Sequence, residues 1–450
     1  MISYVTPIVE AKLPYWALLN YVNKGWIGID DNIKSVIKTE DSESEASYAY
    51  RADKVTHFNN FTPICTGISG LVFSKPITLE ANSKIEALRN NFDNKNNSMD
   101  SFIGTMFDKA LIKGLAFCLV DMKRTEPLKN KAEQIKQNVR PYAVHIEPEN
   151  VTAWRFDDDG LEMVKLREII QIKDPDNIYA TLDIIQYRVL YRGRWELWQE
   201  IEDKDTLIDE GITKLREIPF YCLNLKKTNE FEADLPFFDL AKLNIRHTQI
   251  FTDIGHSLHL ANVPMLKFIG IDKEELEDFV IGANKAFITN NTDAKLDFLT
   301  LDTNAVTNSD AIMLKLEKQM LSIGLNVLSE DSRSSNITAK EAGIDARQKQ
   351  SRINRWILEI EKTFNNILAG FGAYYGVEGG TIKIDADIAS APLDAQEVQA
   401  YTNLALNQGM SMETLFKMMK ARKNIVTDNT WEDEKKLIDI DGLLEPKVEL

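Results

Sequence analysis

Residues 235–262, which read Leu235-Pro-Phe-Phe-Asp-Leu-Ala-Lys-Leu-Asn-Ile-Arg-His247 and run on to Leu258-His-Leu-Ala-Asn262, have the start and stop signals of one long helix. Asp234 is placed to cap it, Pro236 falls in its first turn, and Asn262 with Pro264 closes it. At 1.5 Å per residue it should be about 40 Å long. Leu240, Leu243, Phe251, Ile254, Leu258 and Ala261 lie toward one side, whereas Phe237, Ala241 and Ile245 turn elsewhere. A helix apolar in more than one direction is central to a core or clamped between neighbours. The interleaved Lys242, Asn244, Arg246, Gln249 and Asp253 argue against full burial. The expectation is lateral packing against further copies of the chain.

The helix leads into a compact insertion, from which a second long helix returns. In the insertion Met265–Ile269 reads as a strand, Lys273–Val280 as a short acidic helix and Lys285–Thr289 as a second strand. After a turn at Asn290–Asp293, Lys295–Leu301 alternates as a third strand. The returning helix starts near Ser309 and spaces Met313, Leu316, Met320, Ile323 and Val327 three and four apart. Ser329, Glu330, Asp331, Ser332, Arg333, Ser334, Ser335 and Asn336 follow, polar and without periodicity, as an exposed loop. A third helix opens at Thr338, which makes a capping box with Glu341, and extends to Gly376. Its second half has an unbroken seam of Ile353, Ile357, Ile360, Phe364, Ile367, Phe371 and Tyr374. Its first half is basic through Lys340, Arg347, Lys349, Arg352 and Arg355, so the two halves sit in different environments.

Long helix, small α/β insertion, long helix, polar loop and very long helix is an order that resembles the stem, clip, stem, tunnel loop and wing helix of the portal proteins of tailed bacteriophages. Local phrases carry the same resemblance: Leu235 to His247, Leu258 to Leu266, Gly282-Ala-Asn-Lys-Ala286, Tyr50-Arg-Ala-Asp53, Phe58-Asn-Asn-Phe-Thr62 and Gly70-Leu-Val-Phe73. It extends over roughly residues 45 to 375 and leaves both ends unmatched.

The resemblance implies an α+β, portal-like fold with an antiparallel β/α wing, long stem helices, a small α/β clip and a helical C-terminal crown. On that reading residues 1–234 are the N-terminal region and wing, 235–262 a stem helix, 263–308 the clip and 309–328 the second stem helix. Residues 329–337 are then the tunnel loop, 338–390 the long wing helix and strand, and 391–450 the crown and tail. It further implies a homo-oligomeric ring, usually of twelve copies in that family, at a capsid vertex of the virion and assembled in the host cytoplasm. The ring would be the conduit for packaging and ejection of double-stranded DNA. Terminase, the major capsid protein and head-completion or adaptor proteins would be its partners. The tunnel loop, Ser329 to Asn336, would meet passing DNA, and Glu274, Glu275, Glu277 and Asp278 would form the docking face of the clip.

Composition fits this frame without proving it. The chain has 450 residues, 44% hydrophobic and 27% charged, enough for two or three core-forming units. No run of apolar residues is long enough for a membrane span, and nothing at the start reads as a secretory signal. Cys65, Cys118 and Cys222 are far apart among apolar neighbours and read as small core hydrophobes rather than disulfide or metal partners. A formal charge of −16 argues against gripping nucleic acid but not against a channel through which it slides.

Elsewhere, residues 12–24 read as a short helix with Pro14 in its first turn, and Thr39–Ser47 as an acidic linker. Arg51–Leu71 reads as a helix broken at Pro63 that leads into a strand at Leu71–Phe73. Ser98 caps a helix to Lys113, Gly114 ends it, and Leu115–Asp121 continues as a buried strand. From Pro141 to Leu225 the period changes to two, with strands at Tyr142–Ile146, Met163–Ile172, Thr181–Tyr191 and Arg194–Ile201 in one antiparallel sheet. Thr381–Asp385 is a further strand. Glu397–Leu406 and Met412–Lys423 make a helix-turn-helix, read as packing rather than DNA-reading, ahead of a partly mobile tail from Thr427.

Three groups invite a chemical reading. His247, His256 and His259 share the long helix, but His247 is more than two turns from the other pair and no acidic base has metalloprotease spacing. Asp157-Asp-Asp-Gly160 lacks the alternating ligands of a calcium loop and reads as a hairpin turn. The acidic residues of 274–278 point in successive directions around one short helix and read as a solvated or docking face. No phosphate loop or nucleophile elbow is present, so no cofactor and no enzyme activity are expected. The alternatives are a metal-dependent hydrolase or nuclease built on His256 and His259, and another structural virion protein.

Overall fold

The computed structural model describes residues 1–122, 139–175, 177, 179–262, 265–270, 293–299, 304–328, 339–386, 395–407, 409–421, 424–425, 427 and 429–444. The helices that matter below are α1 (Pro7–Asn23), α2 (Glu45–Asp53), α3 (Phe61–Val72), α4 (Met99–Lys113), α5 (Phe238–Asn262), α6 (Asn304–Leu328), α7 (Ala339–Tyr375), α8 (Ala395–Leu406), α9 (Met412–Ala421) and α10 (Trp431–Leu444). The strands that matter below are β1 (Thr78–Ala81), β2 (Leu115–Met122), β3 (Pro141–Ile146), β4 (Val151–Asp157), β5 (Gly160–Lys173), β6 (Thr181–Tyr191), β7 (Arg194–Ile201), β8 (Lys204–Ile212), β9 (Phe220–Asn224), β10 (Met265–Ile269), β11 (Lys295–Leu299) and β12 (Gly380–Lys383). The fold is α+β. It divides into two compact units, one of Met1–Glu10, Cys65–Leu235 and Leu325–Leu450, the other of Ala11–Ile64 and Pro236–Gly324.

In the first unit the helix α4 forms where its caps dictate. Ser98 Oγ accepts from the backbone N–H of Ser101 at 3.2 Å, and Gly114 takes the left-handed conformation (φ 83°) that ends the helix and starts β2. Phe102, Ile103, Met106, Phe107, Ala110 and Leu111 make its buried face. Strand β2 is the centre of the antiparallel sheet β3-β2-β9. Leu115, Phe117 and Leu119 on one of its faces join Val151, Val164, Leu166 and Phe220 in a core shared with the five-stranded meander β4 to β8. By alternation Ala116, Cys118 and Val120 face the other way, toward α4 and α7. Helix α7 buries Ile353, Trp356, Ile357, Ile360, Phe364, Ile367, Leu368 and Phe371, and Gly376 (φ 62°) stops it. The strand β12 that follows pairs antiparallel with β1, from Thr78↔Lys383 to Ala81↔Gly380.

A charged clasp ties the sheets together. Arg188 on β6 donates to Asp121 on β2 at 2.6 Å and pairs with Glu168 on β5 at 2.8 Å, and Gln186 donates to the same Glu168 at 2.7 Å. A second cluster holds α4 to the chain after β3, with Lys113 reaching Glu147 at 2.6 Å and Glu149 at 2.7 Å.

Several expectations are corrected. Leu71–Phe73 is not a strand: α3 runs through Val72, and Pro63 sits in its first turn, where its missing N–H breaks nothing. The strand Tyr142–Ile146 belongs to the three-stranded sheet rather than the meander, and β4, β8 and β9 were not foreseen. Pro14 lies inside α1, which starts at Pro7, and the acidic linker turns helical at Glu45, where Ser44 accepts from Ser47 N–H. The tail after Thr427 contains α10, whose Thr430 and Asp433 cap each other reciprocally. Helices α8 and α9 form as read, and Thr381–Asp385 is shortened to β12.

Candidate functional site

The second unit holds α5 and most of α6, the first two of the long helices singled out by sequence. Helix α5 begins at Phe238, three residues later than a cap at Asp234 would start it, because residues 236 and 237 form a turn first. It buries Leu240, Ala241, Ile245 and Ile254, but also Asn244, His247, Thr248 and Thr252, each 2% exposed or less. The interleaved Asn244 is therefore fully buried, against expectation. Asn244, Thr248 and Thr252 recur every four residues and form a polar rail along one face.

The rail meets the segment between α2 and α3. Asn244 Oδ1 accepts from the backbone N–H of Asn60 and of Phe61, both at 3.2 Å, while its Nδ2 donates to the Phe58 carbonyl at 2.7 Å. Thr248 Oγ1 lies 2.7 Å from His57 Nδ1, and Thr252 Oγ1 accepts from Thr56 N–H at 3.4 Å. Burial, with His247 nearby as second cause, lowers the His57 pKa to about 4, so its imidazole is neutral in the fold. Arg51 on α2 is buried too, bonded to Glu43 at 2.7 Å and to the Lys38 carbonyl at 2.8 Å, with Asp253 of α5 at 3.8 Å. That guanidinium holds the Glu43 carboxyl near 2. The phrase Phe58–Thr62 thus meets Asn244 and His247 directly, and Tyr50-Arg51 meets Asp253, His256 and His259, contacts between segments too far apart in sequence for local signals to reveal.

The three histidines of α5 separate. His247 Nε2 lies 3.1 Å from Glu317 of α6, between Phe58 and Phe251. His256 and His259 both lie against the Tyr50 ring, at 6.3 and 5.2 Å between centroids. Among the described residues no group of three or more His, Cys, Asp or Glu is arranged to hold a metal ion. Asp157–Gly160 is the β4–β5 hairpin turn, with Asp157 gripped by both terminal nitrogens of Arg192 at 2.6 and 2.7 Å. Burial pushes the Cys65 thiol up to about 12 and raises Cys118 and Cys222 as well, as for core residues.

Helix α6 starts at Asn304, five residues before the reading, and turns Met313, Leu316, Met320 and Ile323 inward. Its Gly324 approaches α3 so closely that a Cβ there would lie 2.6 Å from Ile64. Ile312, Leu314 and Leu321 remain 51, 58 and 42% exposed. At the base of the insertion β10 and β11 pair antiparallel from Met265↔Leu299 to Ile269↔Lys295. The acidic residues Glu274, Glu275, Glu277 and Asp278, the strand 285–289 and the loop Ser329 to Asn336 lie outside the described residues. Among the described residues no helix is long and apolar enough to cross a membrane.

In the first unit a cleft of about 590 Å³ opens between the end of β2, the β6–β7 hairpin and the end of α7. Both of its arginines are engaged, Arg188 in the clasp and Arg194 with Glu196 and over the Tyr191 ring at 4.0 Å, and Lys214 lines it too.

A family model described as a domain of unknown function (DUF4055) matches residues 236–375, the stretch that contains α5, β10, β11, α6 and α7. No curated protein matches the chain. Among solved structures the chain is similar to one titled as the virion of a native gene transfer agent particle, at 10% identity and a TM-score of 0.39, covering 78% of this chain and 85% of that one. It is also similar to the neck of an empty particle of that kind computed with C6 symmetry, at 10% identity and a TM-score of 0.41, covering 79 and 88%. A third similarity is to the neck of the native particle computed with C12 symmetry, at 10% identity and a TM-score of 0.40, with the same coverage.

Proposed function

We propose that this chain is the repeating subunit of a portal-like ring at one vertex of a phage-type capsid, through which double-stranded DNA enters and leaves. The observation that carries the reading is the order of elements over residues 238–375. A 25-residue helix leads out to a strand pair, another of 25 residues returns, and a helix of 37 residues follows. Helices of that length, with Leu258, Ile312, Leu314 and Leu321 left exposed, suit side-by-side packing of copies around an axis.

On this reading residues 235–262 and 309–328 are the stem, 263–308 the clip, 329–337 the tunnel loop, 338–390 the wing helix and strand, 391–450 the crown and tail, and 1–234 the remaining wing. The ring, of twelve copies, takes its driving force from a terminase docked on the clip face at Glu274, Glu275, Glu277 and Asp278, and it also contacts the major capsid and head-completion proteins. It is a virion component and performs no catalysis of its own. Electron microscopy and native mass spectrometry of the purified protein test this directly. Rings with a central hole are expected, whereas a stable monomer under all ionic conditions, with capsid partners present, would sink the reading.

A further inference from the structure

The meander β4 to β8 is not a uniform sheet. Strand β4 accompanies β5 only as far as Val151↔Leu166, and β7 accompanies β6 only from Tyr187 onward. Beyond them β5 and β6 continue alone from Glu168↔Gln186 to Lys173↔Thr181, a two-stranded arm about 20 Å long. Ile169 faces Ile185, Ile170 faces Ile184, and Ile172 faces Leu182 across it. Ile169 and Ile185 are 54 and 43% exposed on one face, and Ile172 and Leu182 are 39 and 44% exposed on the other. A hairpin with open edges and aliphatic residues on both faces is barely stable in water and invites association, so a fold keeps one where something covers it.

The same unit presents a surface of comparable length and opposite net charge, its three cations outnumbering Glu359 among them as Asp174 and Asp183 outnumber Lys173 on the arm. The seam of α7 is buried, and on its far side Arg352, Arg355 and Lys362 are exposed around Leu358, itself 64% exposed. Among the described residues these three cations have no ion pair. The stripe is about 15 Å long. The arm presents Asp183 beside its isoleucines and Asp174 near its tip.

We infer that the β5–β6 arm of one copy lies along the Arg352–Lys362 stripe of α7 in the next copy, its Ile169 and Ile185 on Leu358 and Asp183, which shares their face, against the cations, with Asp174 following at the tip. Arm and stripe are different surfaces, so the contact is head-to-tail, the kind that closes into rings. The inference rests on the ring reading for its setting and adds the residues that join neighbours.

Charge reversal on the arm (Asp174→Lys with Asp183→Lys) or on the stripe (Arg352→Glu with Arg355→Glu) should each lower the association constant by roughly tenfold, and both reversals in one chain should restore it. Mixing an Ile185→Cys chain with a Leu358→Cys chain under mild oxidation should give a disulfide-linked pair that neither forms alone, because Ile185 shares the face of Asp183. Normal rings in every variant, with no cross-link, would overturn the arm contact and leave the ring reading standing. Monomers throughout, with no cross-link, would overturn both. Reversals that leave rings intact but abolish their incorporation into heads would assign the arm to another virion protein and overturn the choice of a second copy.

Discussion

Asn244 shows how much one buried amide can hold. Its three hydrogen bonds satisfy two backbone N–H groups and a carbonyl of the segment 58–61 from a side chain that is itself fully buried. Asn244→Ala should therefore destabilise the protein by about 3 kcal/mol, well above a typical single hydrogen bond, because it leaves buried groups unmet. Denaturant unfolding measures it; a change near zero would mean the segment rehydrates. Beside it, His57 has a folded pKa of about 4 against an ordinary 6.5. The unfolded chain then takes up the proton first as pH falls. The stabilising contribution is full above about pH 6.5 and is lost progressively down to about pH 4, worth up to about 3 kcal/mol. His57→Gln should flatten that part of the stability–pH curve, and an unchanged slope would exclude His57 as its source. His145, stacked on Phe102 and likewise lowered to about 4 by burial, titrates in the same window and is the natural control.

At the scale of elements, the helix-to-strand junction at Gly114 is exposed to substitution on two counts. Its φ is 83°, and a Cβ there would lie 2.3 Å from the backbone oxygen of Asp234. Gly114→Ala should cost about 3 kcal/mol or more in thermal or chemical unfolding, since neither the left-handed conformation nor the backbone neighbour can yield cheaply. This junction was legible in the sequence, as were α7 and the β5–β6 and β6–β7 turns, because caps, glycines and two-residue periodicity are local signals. The rail of α5 was not. Asn244, Thr248 and Thr252 look like a solvated face until the segment that satisfies them, nearly two hundred residues earlier, is folded against them. Pro63 misled for a similar reason: its effect depends on where the helix starts, and that start is fixed by Asn59, whose Oδ1 accepts from Thr62 N–H at 3.2 Å. Strand β8 escaped because its edge position leaves most of its side chains exposed, so alternation is faint.

For the molecule as a whole, the ring reading makes its sharpest demand on the segment between α6 and α7. One Arg333 per copy would give a circle of charges able to meet phosphates in any register, each contact weak and screened by salt. Arg333→Glu should leave assembly unchanged while lowering the amount of DNA packaged or retained in heads. Normal packaging with normal retention would reduce the segment to a surface loop. The closure of the first unit has a different consequence, one of timing. Strand β1 waits for β12, and the face of α4 and β2 waits for the α7 seam, until almost the whole chain has been made. At roughly 5–20 residues per second, synthesis leaves those apolar surfaces uncovered for tens of seconds, a period in which a chaperone is the natural cover. On the arm-to-stripe reading, the helix that completes the core also bears the stripe, so a chain cut short before it would keep the arm but lack the stripe, and would end a growing ring rather than extend it.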